Sequence, residues 1–456
     1  MRPWFLGAAS LAVAAGLAPF VLHRFPTSTI AGVEGPDTES APASAATPTA
    51  EVDDVALSHA VTNATASAPA PVVPASMTAA IAMAGLDLRR IAIDDSGANV
   101  TFGNKRVARL TLDPELQRTA VALLAAHHLP EASIVMIDPA TGTVLAYASH
   151  VEAGPARDLC AEATAPAASV FKVITGSALV QDAALTPETR ECYAGGGDQR
   201  ILASDLEVNE ARDKWCVTLG GAMGKSTNTV FARLAQRHLK PKALEDMAQS
   251  FGFNEPVPFD VPVQPSTLKL PPDALGYART AAGFWNSTLS PIEAAWMSAT
   301  VARGGESPRL SIVKDVSDAG TVVYTAPAPS TVHRVMTRDT AQAVTTMMEH
   351  TVSEGTSYRA FHDGSGSSFL PGVSVAGKTG TLADAEKQHL YTWFTGFAPS
   401  RPLPGVKPIA IGVLVVNNPT WRVKANVIAR EMLRAWFASQ KVEHVTKPPT
   451  ARVARR

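Results

Sequence analysis

Three short segments hold residue types that can carry acyl chemistry. In Ser169-Val170-Phe171-Lys172 a hydroxyl and an amine lie three positions apart, which on a helix puts both on one side. A serine hydroxyl attacks a carbonyl only when a base takes its proton. A lysine can be that base when burial or a neighbouring cation lowers its pKa. Ser226-Thr227-Asn228 offers a second hydroxyl and an amide. As local structure it reads as the N-cap of a helix expected over Thr229 to Arg237. Lys378-Thr379-Gly380-Thr381 offers a second amine flanked by hydroxyls. It follows a strand expected over Val373 to Ala376, and by itself reads as an edge strand with a glycine bulge. Singly, each segment is a weak signal.

The elements that must position these residues follow from hydrophobic patterning. A helix is expected over Asp113 to His127, opened by Asp-Pro. Ala132 to Ile137 and Thr143 to Ala148 flank Asp138-Pro139-Ala140-Thr141-Gly142 and form a hairpin. Ser169 starts a helix that runs to about Asp182. Tyr391 to Phe397 and Ile409 to Val416 are strands, the second nearly all apolar and therefore central and buried on both faces. Ala425 to Ala438 is a terminal helix. Between Ala183 and Gly366 the chain reads as mainly helical and loop-rich. Two strands early, helices in the middle and three strands late give an α+β fold: an antiparallel sheet covered by helices, with a helical subdomain.

The order Ser-x-x-Lys, Ser-x-Asn, Lys-Thr-Gly is a signature of β-lactamases and penicillin-binding proteins. The chain resembles the penicillin-binding transpeptidase domain well beyond those motifs. Leu110 to Gln117 is similar to that domain's opening segment and Asp138 to Ala146 to its first hairpin. Ala281-Ala282-Gly283 with Leu289 to Ala295 is similar to the stretch before its third motif. The resemblance covers about Arg109 to Ala438. It implies a five-stranded antiparallel sheet of β-lactamase/transpeptidase type. It implies that Ser169 is acylated by the carbonyl between two D-alanines, that Lys172 accepts its proton, and that Ser226 relays a proton with Lys378 nearby. Asn228 would bind the substrate amide. Thr379, Gly380 and Thr381 would line the binding strand, with Thr379 and Thr381 on the terminal carboxylate and the Ser169 and Thr381 N–H groups forming an oxyanion hole. The strand edge would take the extended peptide by β-augmentation. Peptidoglycan stem peptides are then the substrate, β-lactams are covalent inhibitors, and no cofactor or metal is required. A D,D-carboxypeptidase, a class D-like β-lactamase and a membrane-bound β-lactam sensor share these motifs.

The remaining features bound the setting. The chain has 456 residues, 46% of them apolar, and a formal net charge of -1, which gives no basis for nucleic-acid binding. Trp4 to Leu22 is an uncharged run of about 19 residues, long enough to span a bilayer. Residues 1–24 are read as a single-pass anchor in the bacterial cytoplasmic membrane, with a cleaved signal segment as the alternative, and 25–76, rich in Ala, Pro, Ser and Thr, as a flexible stalk. A short lead-in over 77–108 precedes the transpeptidase domain over 109–440, and 441–456 is a basic tail. The catalytic domain would lie outside the cytoplasm. The stretch before Arg109 is too short for a glycosyltransferase domain, so a separate glycosyltransferase is an expected partner. In an oxidising compartment Cys192 and Cys216 could bridge, leaving Cys160 free; three buried thiols are the alternative. Gly220 to Ser226 resembles a Walker A loop, but three residues separate its outer glycines where the phosphate cradle needs four.

Overall fold

The computed structural model describes residues 75–103, 105–195, 200–384, 386 and 388–442. The expected anchor, the stalk and nearly all of the basic tail lie outside the described residues. Among the described residues no helix is long and apolar enough to cross a membrane.

Along the chain, strands Ala92–Asp94 (β1), Gly97–Phe102 (β2) and Arg106–Leu110 (β3) come first. Helix Pro114–Ala126 (α1) follows, its N-terminus fixed by Asp113, whose carboxylate accepts the Leu116 N–H at 2.8 Å. Strands Glu131–Ile137 (β4) and Val144–Val151 (β5) form the expected hairpin. Its turn needs Gly142: φ is +76°, and a Cβ there would lie 2.1 Å from the Arg309 carbonyl oxygen. Helix Lys172–Gln181 (α2) is wound onto a 3-10 turn at Ala168–Phe171. Next come strands Arg190–Tyr193 (β6) and Trp215–Thr218 (β7), then helices Leu219–Lys225 (α3), Asn228–His238 (α4), Ala274–Ala281 (α5) and Pro291–Ala302 (α6). Strands Val313–Asp318 (β8) and Thr321–Thr325 (β9) precede helix Arg338–Ser353 (α7). The chain then forms Ala376–Asp384 (β10), His389–Ala398 (β11), Ile409–Asn417 (β12) and helix Ala425–Ser439 (α8).

The main sheet has the order β10-β11-β12-β4-β5, antiparallel throughout. β12 is its central strand, and all nine of its residues are buried, as its apolar run predicts. α6 packs on one face of β12, so closely that a Cβ on Gly412 would lie 2.5 Å from the Pro291 carbonyl oxygen. α8 covers the other face, and α1 packs beside α8 on β5 and β4. β10 is the edge strand, and its outer edge pairs with no described strand.

Two expectations are corrected. The motif Lys378–Thr381 does not follow a strand ending at Ala376; it lies within β10, which starts there, and its pairing with β11 continues without a bulge. Gly380, which suggested a bulge, is a close contact: a Cβ there would lie 3.2 Å from Ala168 Cβ, and one on Gly377 would lie 2.4 Å from the Phe394 ring. The stretch Ala183 to Gly366 is not only helix and loop. It supplies β6 and β7, and β8 and β9 join β1, β2 and β3 in a second sheet, β1-β2-β3-β8-β9. The partner that fixes β8 is β3, some two hundred positions away, so no local pattern announces it. Gly220 to Lys225, whose spacing already spoke against a phosphate cradle, lie in α3.

The cysteine question resolves into one bridge and one thiol. Cys192 and Cys216 face each other across β6 and β7 and form a disulfide, while Cys160 is free and buried.

Candidate active site

Ser169 sits in the 3-10 turn that leads into α2. Its predecessor Ala168 has φ +49°, a conformation a side chain disfavours. Two glycines press on that turn. A Cβ on Gly283, whose φ is +84°, would lie 2.4 Å from the Ala168 carbonyl oxygen, and Gly380 approaches Ala168 from β10. The Ser169 backbone is thus wedged between the end of α5 and the edge strand.

Lys172, one turn on, is wholly buried. Its amine donates to Ser169 Oγ at 2.8 Å, to Asn228 Oδ1 at 2.5 Å and to the Ala282 carbonyl at 2.5 Å. As an ammonium it satisfies all three acceptors. As a neutral amine it keeps two donors for Asn228 and Ala282 and turns its lone pair to the Ser169 hydroxyl. The Phe231 ring, 5.7 Å away, covers it from α4.

The second lysine faces it from the sheet. Lys378 is also wholly buried and donates to Ser226 Oγ at 2.9 Å and to the Thr379 carbonyl at 2.8 Å. Burial, and then the positive charge of Lys172, push its pKa well below that of an ordinary lysine. Ser226 is not an N-cap. It ends α3 in the left-handed region at φ +59°, and Thr227 precedes α4 without a side-chain cap bond. The Ser226 hydroxyl is turned to Lys378 instead, and Asn228 opens α4.

All three motifs therefore meet. Ser169, Ser226, Asn228, Thr379, Gly380 and Thr381 line one cleft of about 1110 Å³, with Lys172 and Lys378 hydrogen-bonded to its Ser169, Asn228 and Ser226. Sequence reasoning missed several neighbours. Thr356, at the foot of α7, meets Thr379 hydroxyl to hydroxyl at 2.6 Å, and nothing local marks it. The Ala282 carbonyl on Lys172 belongs to Ala281-Ala282-Gly283, a segment singled out by resemblance but without a role. Arg200, Trp285, Trp421, Lys424 and Asn426 also line the cleft; they sit in loops and at a helix start, where side-chain type alone gives no location.

Fold and site together define an active-serine enzyme architecture of the β-lactamase/transpeptidase kind. Residues 132–433 match the family model of the penicillin-binding protein transpeptidase domain, and the chain belongs to that family. It is 28% identical over 366 residues to the peptidoglycan D,D-transpeptidase PbpA of Mycobacterium tuberculosis, covering 72% of this chain and 70% of that one. Against PbpA of Mycolicibacterium smegmatis it is 26% identical over 369 residues, with the same coverage. The imipenem acyl-enzyme complex of M. tuberculosis penicillin-binding protein A aligns with a TM-score of 0.57 at 25% identity, over 72% of this chain and 79% of that one. The D,D-transpeptidase domain of a peptidoglycan glycosyltransferase from Eggerthella lenta aligns with a TM-score of 0.59 at 22% identity, over 76% and 85%.

Proposed function

We propose that this chain is a peptidoglycan D,D-transpeptidase that works through a Ser169 acyl-enzyme. Lys172 takes the Ser169 proton as Oγ attacks the carbonyl between two D-alanines. The N–H groups of Ser169 and Thr381 hold the oxyanion, a contribution of roughly 3–4 kcal/mol per donor. Ser226, backed by Lys378, passes a proton to the departing D-alanine amine. Asn228 holds the donor amide, and Thr379 and Thr381 hold its terminal carboxylate beside Gly380. An acceptor amine then attacks the ester and forms the crosslink, releasing Ser169. The observation that carries this reading is the wholly buried Lys172 amine, 2.8 Å from Ser169 Oγ and bonded to Asn228 of the second motif.

The setting is part of the proposal. Residues 1–24 anchor the chain in the cytoplasmic membrane, 25–76 form a stalk, 77–108 lead in, 109–440 form the catalytic domain and 441–456 a basic tail. The catalytic domain works outside the cytoplasm, where a disulfide such as Cys192–Cys216 persists. A separate glycosyltransferase supplies the glycan strands, and β-lactams acylate Ser169 in place of substrate. The test is incubation with a peptide ending in D-Ala-D-Ala and a peptide amine. Transpeptidation predicts a crosslinked product with release of one D-alanine. Trimmed peptide alone would make the chain a carboxypeptidase, and rapid turnover of penicillin would make it a β-lactamase.

A further inference from the structure

The cleft is electropositive by composition. Among its described lining residues are Arg200, Arg279 and Lys424, and no Asp or Glu. Arg279 is occupied: it donates to the Ile201 carbonyl at 3.0 and 2.6 Å. Neither Arg200 nor Lys424 forms an ion pair with a described carboxylate, and both are exposed. A cleft whose two exposed cations face no described carboxylate favours an anionic ligand.

The position of Lys424 is informative. It precedes α8, with its amine 5.0 Å from the centre of the Trp421 ring, a contact that steadies the ammonium while Trp421 stays 44% exposed. The first turn of α8 is tied to the sheet at the level of the oxyanion strand. Thr381 pairs with Thr392, and Thr392 Oγ1 accepts the Ala425 N–H at 3.1 Å. Asn426, in the same turn, lines the cleft at 6% exposure and leaves its Oδ1 without a hydrogen-bond partner. A donor peptide paired with the outer edge of β10 runs past Leu382 and Ala383, which also line the cleft. It sends alternate side chains to the two faces of the sheet. On the α8 face they meet Lys424, Trp421 and Asn426.

We propose that Lys424, held against Trp421, selects donor peptides that carry a free carboxylate upstream of the scissile bond over the same peptides with that group amidated. This deepens the transpeptidase reading and rests on it. The test uses the full chain and two synthetic peptides ending in D-Ala-D-Ala, alike except for one upstream carboxylate or carboxamide, with D-alanine release as the readout. The carboxylate peptide should be favoured about 10-fold in kcat/KM, equivalent to about 1.4 kcal/mol, mostly through KM. High salt should shrink the ratio. Lys424→Gln should bring it to about 1 and Lys424→Arg should retain it, with melting curves checking the fold. Equal kcat/KM in the wild type would overturn the inference while leaving the transpeptidase reading intact. So would a preference that survives Lys424→Gln, or one lost instead in Arg200→Gln. A preference that follows an attached sugar rather than the carboxylate would assign Trp421 to glycan stacking and overturn it too. Turnover of neither peptide would remove the transpeptidase reading and the inference with it.

Discussion

Two lysines buried in one cleft is an arrangement that burial alone would penalise. Each is retained because its amine meets acceptors from a different motif, Lys172 on Ser169 and Asn228, Lys378 on Ser226. Their proposed roles predict different defects. Lys172→Ala should leave a folded protein whose acylation by penicillin is slower by about 10²- to 10⁴-fold, because the base is gone; stopped-flow acylation measures it, and a near-normal rate would mean another base acts. Glu293 presents a separate residue-scale case. It is wholly buried on α6, and that burial pushes its carboxyl up to about 8. Unfolded, the group ionises near pH 4.5, so the folded state keeps a proton that the unfolded chain releases. Stability contributed here is therefore full below about pH 4.5 and falls as pH rises through about 8. Glu293→Gln should remove that slope and stabilise the protein by at least about 1 kcal/mol at pH 8 and little at pH 5. Melting temperatures at the two pH values read it directly, and an equal shift at both would contradict it.

At the scale of elements, the site is built by close approaches. The end of α5 reaches the Ser169 turn only because Gly283 lacks a Cβ. Gly283→Ala should cost about 1–3 kcal/mol through overpacking and an unfavourable φ, and should slow acylation further by shifting Ser169; unchanged acylation would show that the turn tolerates the shift. The disulfide closes an excursion from β6 to β7 that carries Arg200 to the cleft. Unreduced, denatured protein should show one free thiol, from Cys160, and Cys192→Ser with Cys216→Ser should lower stability by about 3 kcal/mol. Some of this was legible in the sequence. The nearly all-apolar run Ile409 to Val416 in β12 and the hairpin of β4 and β5 are local patterns, and their strands stand where those patterns put them. β10 was misplaced because Gly380 reads as a bulge, when it and Gly377 are contacts with Ala168 and Phe394 that only the folded sheet creates. The three motifs could be gathered into one cleft by family resemblance. Thr356 and Lys424 could not, because nothing local says that the ends of α7 and α8 arrive beside β10.

For the whole molecule, the segment ahead of α1 is more than an approach to the catalytic fold. β3 pairs with β8, and Arg109 forms an ion pair with Asp315 across that pairing. Val100, Ala108, Val313 and Val316 are fully buried in this sheet and its surroundings. A chain beginning at Arg109 would lose β1, β2 and most of β3 and leave β8 uncovered. At about 1.5–3 kcal/mol per large apolar side chain returned to water, such a chain should melt well below the intact one, in a broadened transition. An unchanged melting curve would show that the second sheet contributes nothing to the catalytic fold. No sequence pattern announced this sheet, because β1 to β3 lie ahead of α1 and β8 and β9 lie some two hundred positions later, so only pairing at long range defines it.

The central claim is that Ser169 is the acyl acceptor. The most direct measurement is labelling of the purified protein with a fluorescent penicillin, followed by proteolysis and peptide mapping. A single stable adduct is expected on Ser169, absent in Ser169→Ala while the fold persists. No adduct in the wild type, or one that survives Ser169→Ala, would contradict it.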